Sequence, residues 1–312
     1  MSSVAVVFPG QGSQAVGMGR DLVAASPLAQ EAFAEATEVL GYDLARVCFE
    51  GPAEVLGRTD VTQPALLTTS IALLRVLRER GFTFDVALGH SLGEYTALVA
   101  TEALEFAQAV RLVRQRGEAM LAAGRARPGG MAAVLGLDAA AVEELCASIV
   151  GVWPANYNSP GQVVVSGTEE GLATLAERAP AVGARRVVRL PVSGAFHSPL
   201  VESAAEALRA PLGSARFAAP QPAFFSTSSL AFESAEGLAD LLLRQITAPV
   251  RWEQAVRALV QAGYDVFVEV GPGNVLTGLI KRIDNSVKTV NVADLATLEA
   301  ALESPWRGER HA

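Results

Sequence analysis

The sequence predicts an α/β protein in two parts, a large domain on a parallel sheet with a small subdomain inserted into it. Three observations lead there. Strand-like and helical runs alternate up to about residue 122, a β-α-β-β-α-β rhythm follows over 131–190, and the first alternation resumes after Pro191. Such alternation produces a parallel sheet covered by helices on both faces.

In chain order, the apolar run 4–8 is a first core strand, ended by Pro9-Gly10. Helical patterns follow over 27–40 and 63–79, a strand over 86–88, and a helical stretch over 93–121. Gly124-Arg125-Ala126-Arg127-Pro128-Gly129-Gly130 reads as a chain breaker and places the first boundary. A strand at 131–137 leads to a helix at 138–150 with Asp138 as its cap. Strands at 152–157 and 163–166 flank the turn Asn158-Ser159-Pro160-Gly161. A helix at 168–178, opened by Thr168 with acids in its first turn, and a strand at 185–190 complete a ferredoxin-like split motif. The large-domain pattern then returns, with a helix at 199–210, a strand near Phe224 and helices at 235–245 and 251–262. A buried strand at 266–270, the turn Gly271-Pro272-Gly273, a helix at 275–283 and a strand at 287–292 finish it. The large domain is thus assigned 1–124 and 192–312, the subdomain 125–191, and the tail after Ser304 reads as frayed.

Half of the 312 residues are apolar, yet no apolar run approaches the roughly 18 residues a membrane helix needs. No basic stretch precedes the first apolar run, so no signal peptide is indicated and a cytoplasmic location is expected. Cys48 and Cys146 lie in apolar helical contexts without metal-ligand spacing, which reads as buried thiols in a reducing compartment. A formal charge of −8 argues against nucleic acid as a partner. No membrane partner, metal or bound cofactor is expected, and a monomer is.

Chemistry enters at Gly89-His90-Ser91-Leu92-Gly93, a G-x-S-x-G sequence between a strand and a helix. In a nucleophile elbow of this form the serine is forced out of the backbone toward substrate, beside a helix N-terminus that favours developing negative charge. Chance turns share the pentapeptide, so the rest of the chain must decide. A serine hydroxyl needs a base, and only three histidines are available. His311 lies in the tail, and His90, adjacent to Ser91 in an extended strand, should face away from its hydroxyl. His197, on a loop where the chain returns to the large domain, is the candidate base. No acid stands in an obvious position to orient it; a distant carboxylate and a backbone carbonyl both fit.

Arg116 shares the apolar stripe of its helix with Leu112, Val113 and Met120, whereas Arg111, Arg114 and Glu118 occupy the solvent side. A guanidinium facing inward requires an anion. That anion is either a buried acid of the chain or a substrate carboxylate held in bidentate fashion. The glycine-rich loop Phe8-Pro9-Gly10-Gln11-Gly12-Ser13-Gln14 follows the first strand and lacks the ending of a phosphate loop. Beside an elbow, it can donate a backbone N–H to a tetrahedral oxyanion, with the Leu92 amide as second donor.

Together with Glu94-Tyr95, which extend the elbow motif, Thr62-Gln63-Pro64-Ala65, Arg116-Gly117-Glu118-Ala119-Met120, Asn156-Tyr157-Asn158-Ser159-Pro160-Gly161-Gln162, Gly194-Ala195-Phe196-His197-Ser198-Pro199, Gln245 with Pro249-Val250-Arg251-Trp252, and Gly271-Pro272-Gly273, these motifs resemble the malonyl-CoA:acyl-carrier-protein transacylases. The matches run in family order from residue 8 to about 283. The resemblance implies an α/β-hydrolase-like large domain with a ferredoxin-like insertion. It implies Ser91 as nucleophile, His197 as base, and the Gln11 and Leu92 amides as oxyanion hole. Arg116 would bind the malonyl carboxylate, with Gln63 and Phe196 also at the substrate, Phe196 crowding the acyl α-carbon. Gln245 would offer the backbone carbonyl that orients His197. Malonyl-CoA is then a substrate, the acceptor an acidic acyl carrier protein, and the pathway fatty acid or polyketide synthesis. Lys281, Arg282, Arg185, Arg186 and Arg189 are the candidates for carrier docking.

Three rivals stand beside this reading. A serine thioesterase or esterase shares the elbow, but an inward Arg116 and the lack of an evident triad acid speak against it. A discrete polyketide acyltransferase with another extender unit shares all of it. A non-catalytic docking protein would have no use for Ser91 and His197.

Overall fold

The computed structural model describes residues 2–303; His311 and the tail after Ser304 lie outside them. Strand β1 (Ser3–Phe8) leads through helices α1 (Arg20–Ala25), α2 (Pro27–Leu40), α3 (Leu44–Glu50), α4 (Ala53–Leu56) and α5 (Thr59–Glu79) to β2 (Val86–Gly89). Then come α6 (Gly93–Ala100) and α7 (Phe106–Ala126). The next unit is β3 (Gly130–Leu135), α8 (Ala139–Ala147), β4 (Val152–Ser159), β5 (Gln162–Gly167), α9 (Glu169–Arg178) and β6 (Arg186–Arg189). The chain finishes with α10 (Glu202–Ser214), β7 (Ala223–Phe224), α11 (Leu238–Gln245), α12 (Trp252–Gln261), β8 (Tyr264–Val270), α13 (Val275–Ile283), β9 (Lys288–Val292) and α14 (Leu295–Glu303).

Five strands form one sheet in the order β7-β2-β1-β8-β9, parallel throughout. Its faces follow from strand alternation. Val4, Val6 and Phe8 enter a core shared with α2, α5, α6 and α7, whereas Ala5 and Val7 enter a second core with α12 and α13. The other four strands form an antiparallel sheet, β4-β5-β3-β6, with α8 and α9 packed on one face, their Leu145 and Leu175 sharing a core with Ala132 and Val134. An α/β architecture with a parallel sheet and a β-α-β-β-α-β unit agrees with the sequence expectation. Among the described residues, no helix is long and apolar enough to cross a membrane.

The small sheet is tied to the large unit along an edge. Tyr157 N–H donates to the Val250 carbonyl and Val250 N–H to the Ala155 carbonyl, both at 2.9 Å. Residue 250 thereby covers the outer edge of β4, which would otherwise present unpaired backbone groups.

The stretch 93–121 forms two helices, in agreement with separate helical patterns over 94–103 and 107–121, and Glu105 caps α7 by accepting from the amides of Ala107 and Gln108. Two local expectations are corrected. Helix α7 then runs through Gly124 to Ala126, so the expected breaker lies inside a helix. A Cβ on Gly124 would overlap the Ser193 carbonyl, so that glycine serves close approach of a neighbouring segment. Helix α5 begins at Thr59 and holds Pro64 inside it. Proline has no N–H for the Asp60 carbonyl, and Arg114 Nη1 donates there instead at 3.1 Å. Arg114, placed on the solvent side from periodicity, therefore also bridges two helices. Helices α1, α3, α4 and α14 were not anticipated.

Candidate active site

Strand β2 ends in a tight elbow. A Cβ on Gly89 would overlap Gly93, and one on Gly93 would overlap the Phe8 carbonyl, so both positions exclude larger residues. Between them Ser91 adopts φ 53°, the left-handed conformation that L residues seldom take. The turn sends Oγ toward a loop returning from the small sheet, where His197 also adopts a positive φ of 57°. Ser91 Oγ lies 2.8 Å from His197 Nε2.

His197 Nδ1 lies 3.0 Å from the carbonyl oxygens of both Gln245 and Ala248. Two acceptors at Nδ1 place its proton there, leaving the Nε2 lone pair for the serine hydroxyl. Among the described residues no carboxylate bonds to the imidazole, so the alternatives left open by the sequence resolve to backbone carbonyls. Burial first, then the Arg116 charge, pushes the imidazole pKa down to about 3.

Arg116 is 1% exposed. Its Nη1 donates to Gln63 Oε1 at 2.9 Å, and its Nη2 to Ser91 Oγ at 3.1 Å and Gln245 Oε1 at 3.0 Å. The guanidinium carbon lies 5.6 Å from the centre of the Tyr95 ring. Among the described residues it makes no ion pair, and its Nε has no partner. Of the two readings of an inward arginine, the direct internal salt bridge is therefore absent. An unpaired guanidinium 3.1 Å from a primed hydroxyl can hold a substrate anion against that hydroxyl.

These groups open on a cleft of about 90 Å³, lined also by Gln11, Leu92, Met131, Asn156, Leu190 and Phe196. The size suits a short acyl group. Phe196 is buried, and its carbonyl accepts from Ser166 Oγ on β5, which anchors the loop carrying His197. Gln63, besides holding Arg116, approaches Met120 Sδ at 3.5 Å. His90 lines the cleft too, but its Nε2 lies 2.9 Å from Asn158 Oδ1 and its ring faces Trp252, so it makes no bond to Ser91.

The docking candidates fall in two places. Arg185 and Arg282 line a cavity of about 510 Å³ with Pro160 and Gln162, and Arg282 Nη1 donates to Gln162 Oε1 at 2.8 Å. Arg186 and Lys281 are exposed beside them in sequence. Arg189 is engaged by Glu169 on α9 at 2.7 Å.

Sequence reasoning missed Glu94, Ala248, Asn158 and the side-chain role of Gln245. Gln245 Nε2 donates to the Ser91 carbonyl at 2.9 Å and to Glu94 Oε2 at 2.7 Å. Glu94 is fully buried and also accepts from Ser226 and Thr227. Its sequence signals were its place in the motif Gly89-His90-Ser91-Leu92-Gly93-Glu94-Tyr95, which assigned it no role, and its position as an acid in the first turn of a helix, ordinarily read as a dipole partner.

Residues 5–300 match the acyl transferase domain family. The chain is 44% identical over 309 residues to the malonyl CoA-acyl carrier protein transacylase of Bacillus subtilis, covering 97% of this chain and 98% of the relative. It is 42% identical to the Escherichia coli K12 protein of the same name over 308 residues, 97% and 100% of the two chains. Among solved structures, the acyl carrier protein S-malonyltransferase of Vibrio cholerae superposes with a TM-score of 0.93 at 42% identity, covering 96% of this chain and 100% of that one. A malonyl-transacylase solved with its type II PKS acyl-carrier protein gives 0.94 at 42% identity, over 97% and 99%.

Proposed function

The chain belongs to the malonyl CoA-acyl carrier protein transacylases of the acyl transferase domain family, and from that premise we propose that it moves malonyl from coenzyme A to the phosphopantetheine thiol of an acyl carrier protein through an acyl-Ser91 intermediate. The observation that carries this reading is the Ser91 hydroxyl 2.8 Å from a neutral imidazole and 3.1 Å from a guanidinium without an ion-pair partner.

In the first half-reaction Arg116 turns its fork to the malonyl carboxylate and so aligns the thioester carbonyl with Ser91. His197 Nε2 takes the hydroxyl proton as Oγ attacks. The Gln11 and Leu92 amides receive the oxyanion, each such donor being worth about 3 kcal/mol in the transition state. Collapse breaks the C–S bond, and His197 returns the proton to the departing CoA thiolate. In the second half-reaction the carrier thiol gives its proton to His197 and attacks the ester; collapse restores Ser91 with that proton. The Gln245 and Ala248 carbonyls hold the imidazole and stabilise its charged form, the role an acid has in a triad. The CoA thioester is a substrate, so these steps call for no cofactor. Phe196 limits the space at the acyl α-carbon.

Docking of the acidic carrier is assigned to Arg185, Arg186, Lys281 and Arg282, with Arg189 serving α9 instead. The units are read as a hydrolase-like domain and a ferredoxin-like subdomain, the first boundary moving from 124/125 to the end of α7 at Ala126 and the second staying at 191/192. A monomer is proposed, and two buried free thiols support a cytoplasmic setting.

The test is mass spectrometry of the intact protein after brief exposure to malonyl-, methylmalonyl- or acetyl-CoA. Malonyl should label Ser91 most, and Arg116→Ala should abolish the preference over acetyl. Equal labelling by acetyl in the unaltered protein would count against the clamp, and release of free malonate as fast as transfer would mark a thioesterase.

A further inference from the structure

We propose that Glu94 is a positioning residue for the carboxylate clamp. Acting through the Gln245 side-chain amide, it supplies the buried counter-charge that holds Arg116 oriented while leaving guanidinium donors for substrate. The proposal deepens the malonyl-transfer reading and rests on it.

Glu94 and Gln245 are 0% exposed and Arg116 1%. Between the two charges stands the Gln245 amide, whose Nε2 donates to Glu94 Oε2 at 2.7 Å and whose Oε1 accepts from Arg116 Nη2 at 3.0 Å. Its dipole is therefore aligned with the field between a carboxylate and a guanidinium. The other partners of Glu94 are Ser226 Oγ at 2.9 Å and the Thr227 amide at 2.6 Å, both donating; Thr227 Oγ1 lies 2.9 Å from Glu94 and 3.1 Å from the Gly89 carbonyl, with one proton to serve the two. A carboxyl surrounded by donors is held as the acceptor-only anion, against the upward push that burial exerts on its pKa.

The spacer explains how a buried arginine stays available. A carboxylate in direct contact would fill the guanidinium fork and exclude a substrate acid. With no anion nearby, the charge would bear the full cost of burial. One amide in between balances the charge across a water-excluded site and leaves the fork unoccupied by an acid. The same amide donates to the Ser91 carbonyl at 2.9 Å, and its residue's backbone carbonyl accepts from His197. An amide side chain can be flipped end for end; Glu94 demands a donor and Arg116 an acceptor, so only one orientation suits both.

Glu94→Gln keeps the shape and removes the charge. Its new NH2 must face another donor, either Thr227 or Gln245, and a flipped Gln245 would turn its own NH2 against Arg116. The test compares Ser91 acylation by malonyl-CoA and acetyl-CoA, followed by intact mass, in the wild type, Glu94→Gln and Glu94→Asp. Glu94→Gln should lower the malonyl-over-acetyl preference by about tenfold or more, equivalent to about 1.4 kcal/mol. The loss should appear in KM for malonyl-CoA more than in kcat, and Glu94→Asp, which keeps the charge, should recover part of it. Should Glu94→Gln not fold, Gln245→Met removes the bridge and should lower the same ratio. An unchanged ratio, or malonyl and acetyl rates falling together, overturns the proposal and leaves Glu94 a structural acid. A wild type that takes up no malonyl on Ser91 overturns the transfer reading first, and this proposal with it.

Discussion

His197 is neutral at working pH because burial and the neighbouring Arg116 charge hold its pKa near about 3. A bound malonyl carboxylate would neutralise that charge, remove the second cause and make the imidazole more basic when a proton must be taken. Stability should follow the same titration. An unfolded histidine binds its proton near pH 6.5, so between there and about pH 3 the unfolded chain takes up a proton that folded His197 refuses. The folded state therefore loses stability as pH falls through this window and keeps it fully above. Thermal unfolding followed from about pH 7 down to about pH 4 should show a smaller acid-side decline in His197→Gln than in the wild type. His90 adds to the decline in both, because burial lowers its pKa as well. Of these residues, His197 was legible by elimination among three histidines. The Ala248 carbonyl was not, since a backbone acceptor carries no residue-specific signal.

Helices and strands show where local rules hold and where packing overrides them. Asp138 and Thr168 cap their helices as expected, each accepting from the amide three residues on. Gly124 and Pro64 do not behave as helix boundaries. Both lie inside helices because a neighbouring segment supplies what the local rule lacks, the Ser193 carbonyl as a close neighbour and Arg114 as a donor. Gly124→Ala therefore makes a clean test. Helix propensity alone predicts stabilisation by about 1 kcal/mol, whereas overlap with Ser193 predicts destabilisation of about 1–3 kcal/mol. We expect a lower Tm, together with reduced Ser91 acylation, because Ser193 begins the loop that carries His197. A raised Tm would show that the loop gives way freely.

Across the whole molecule, the cleft exists because two sheets are joined at one seam. The segment from Gln245 to Val250 ends α11, orients His197 and covers the edge of β4. The small sheet, through Asn158, also holds His90 beside the nucleophile. Arg185 and Arg282, proposed above for carrier docking, line one cavity. Charge reversal by Arg185→Glu or Arg282→Glu should raise KM for the carrier more than KM for malonyl-CoA. The carrier half-reaction should also weaken with added salt, since exposed charges are screened over about 8–10 Å at moderate ionic strength. Equal effects on both substrates would place docking elsewhere.

Periodicity and turn residues were sufficient, in the sequence alone, for the α/β plan and the inward direction of Arg116, and they offered the elbow at Ser91, because each is expressed within a few neighbouring positions. Tertiary structure decided what stands opposite those residues. The carbonyls on His197 and the Glu94–Gln245–Arg116 bridge join positions 48 to 151 residues apart. A hydrogen bond over that distance is set by the packing of the two cores, and no local pattern in the chain records it.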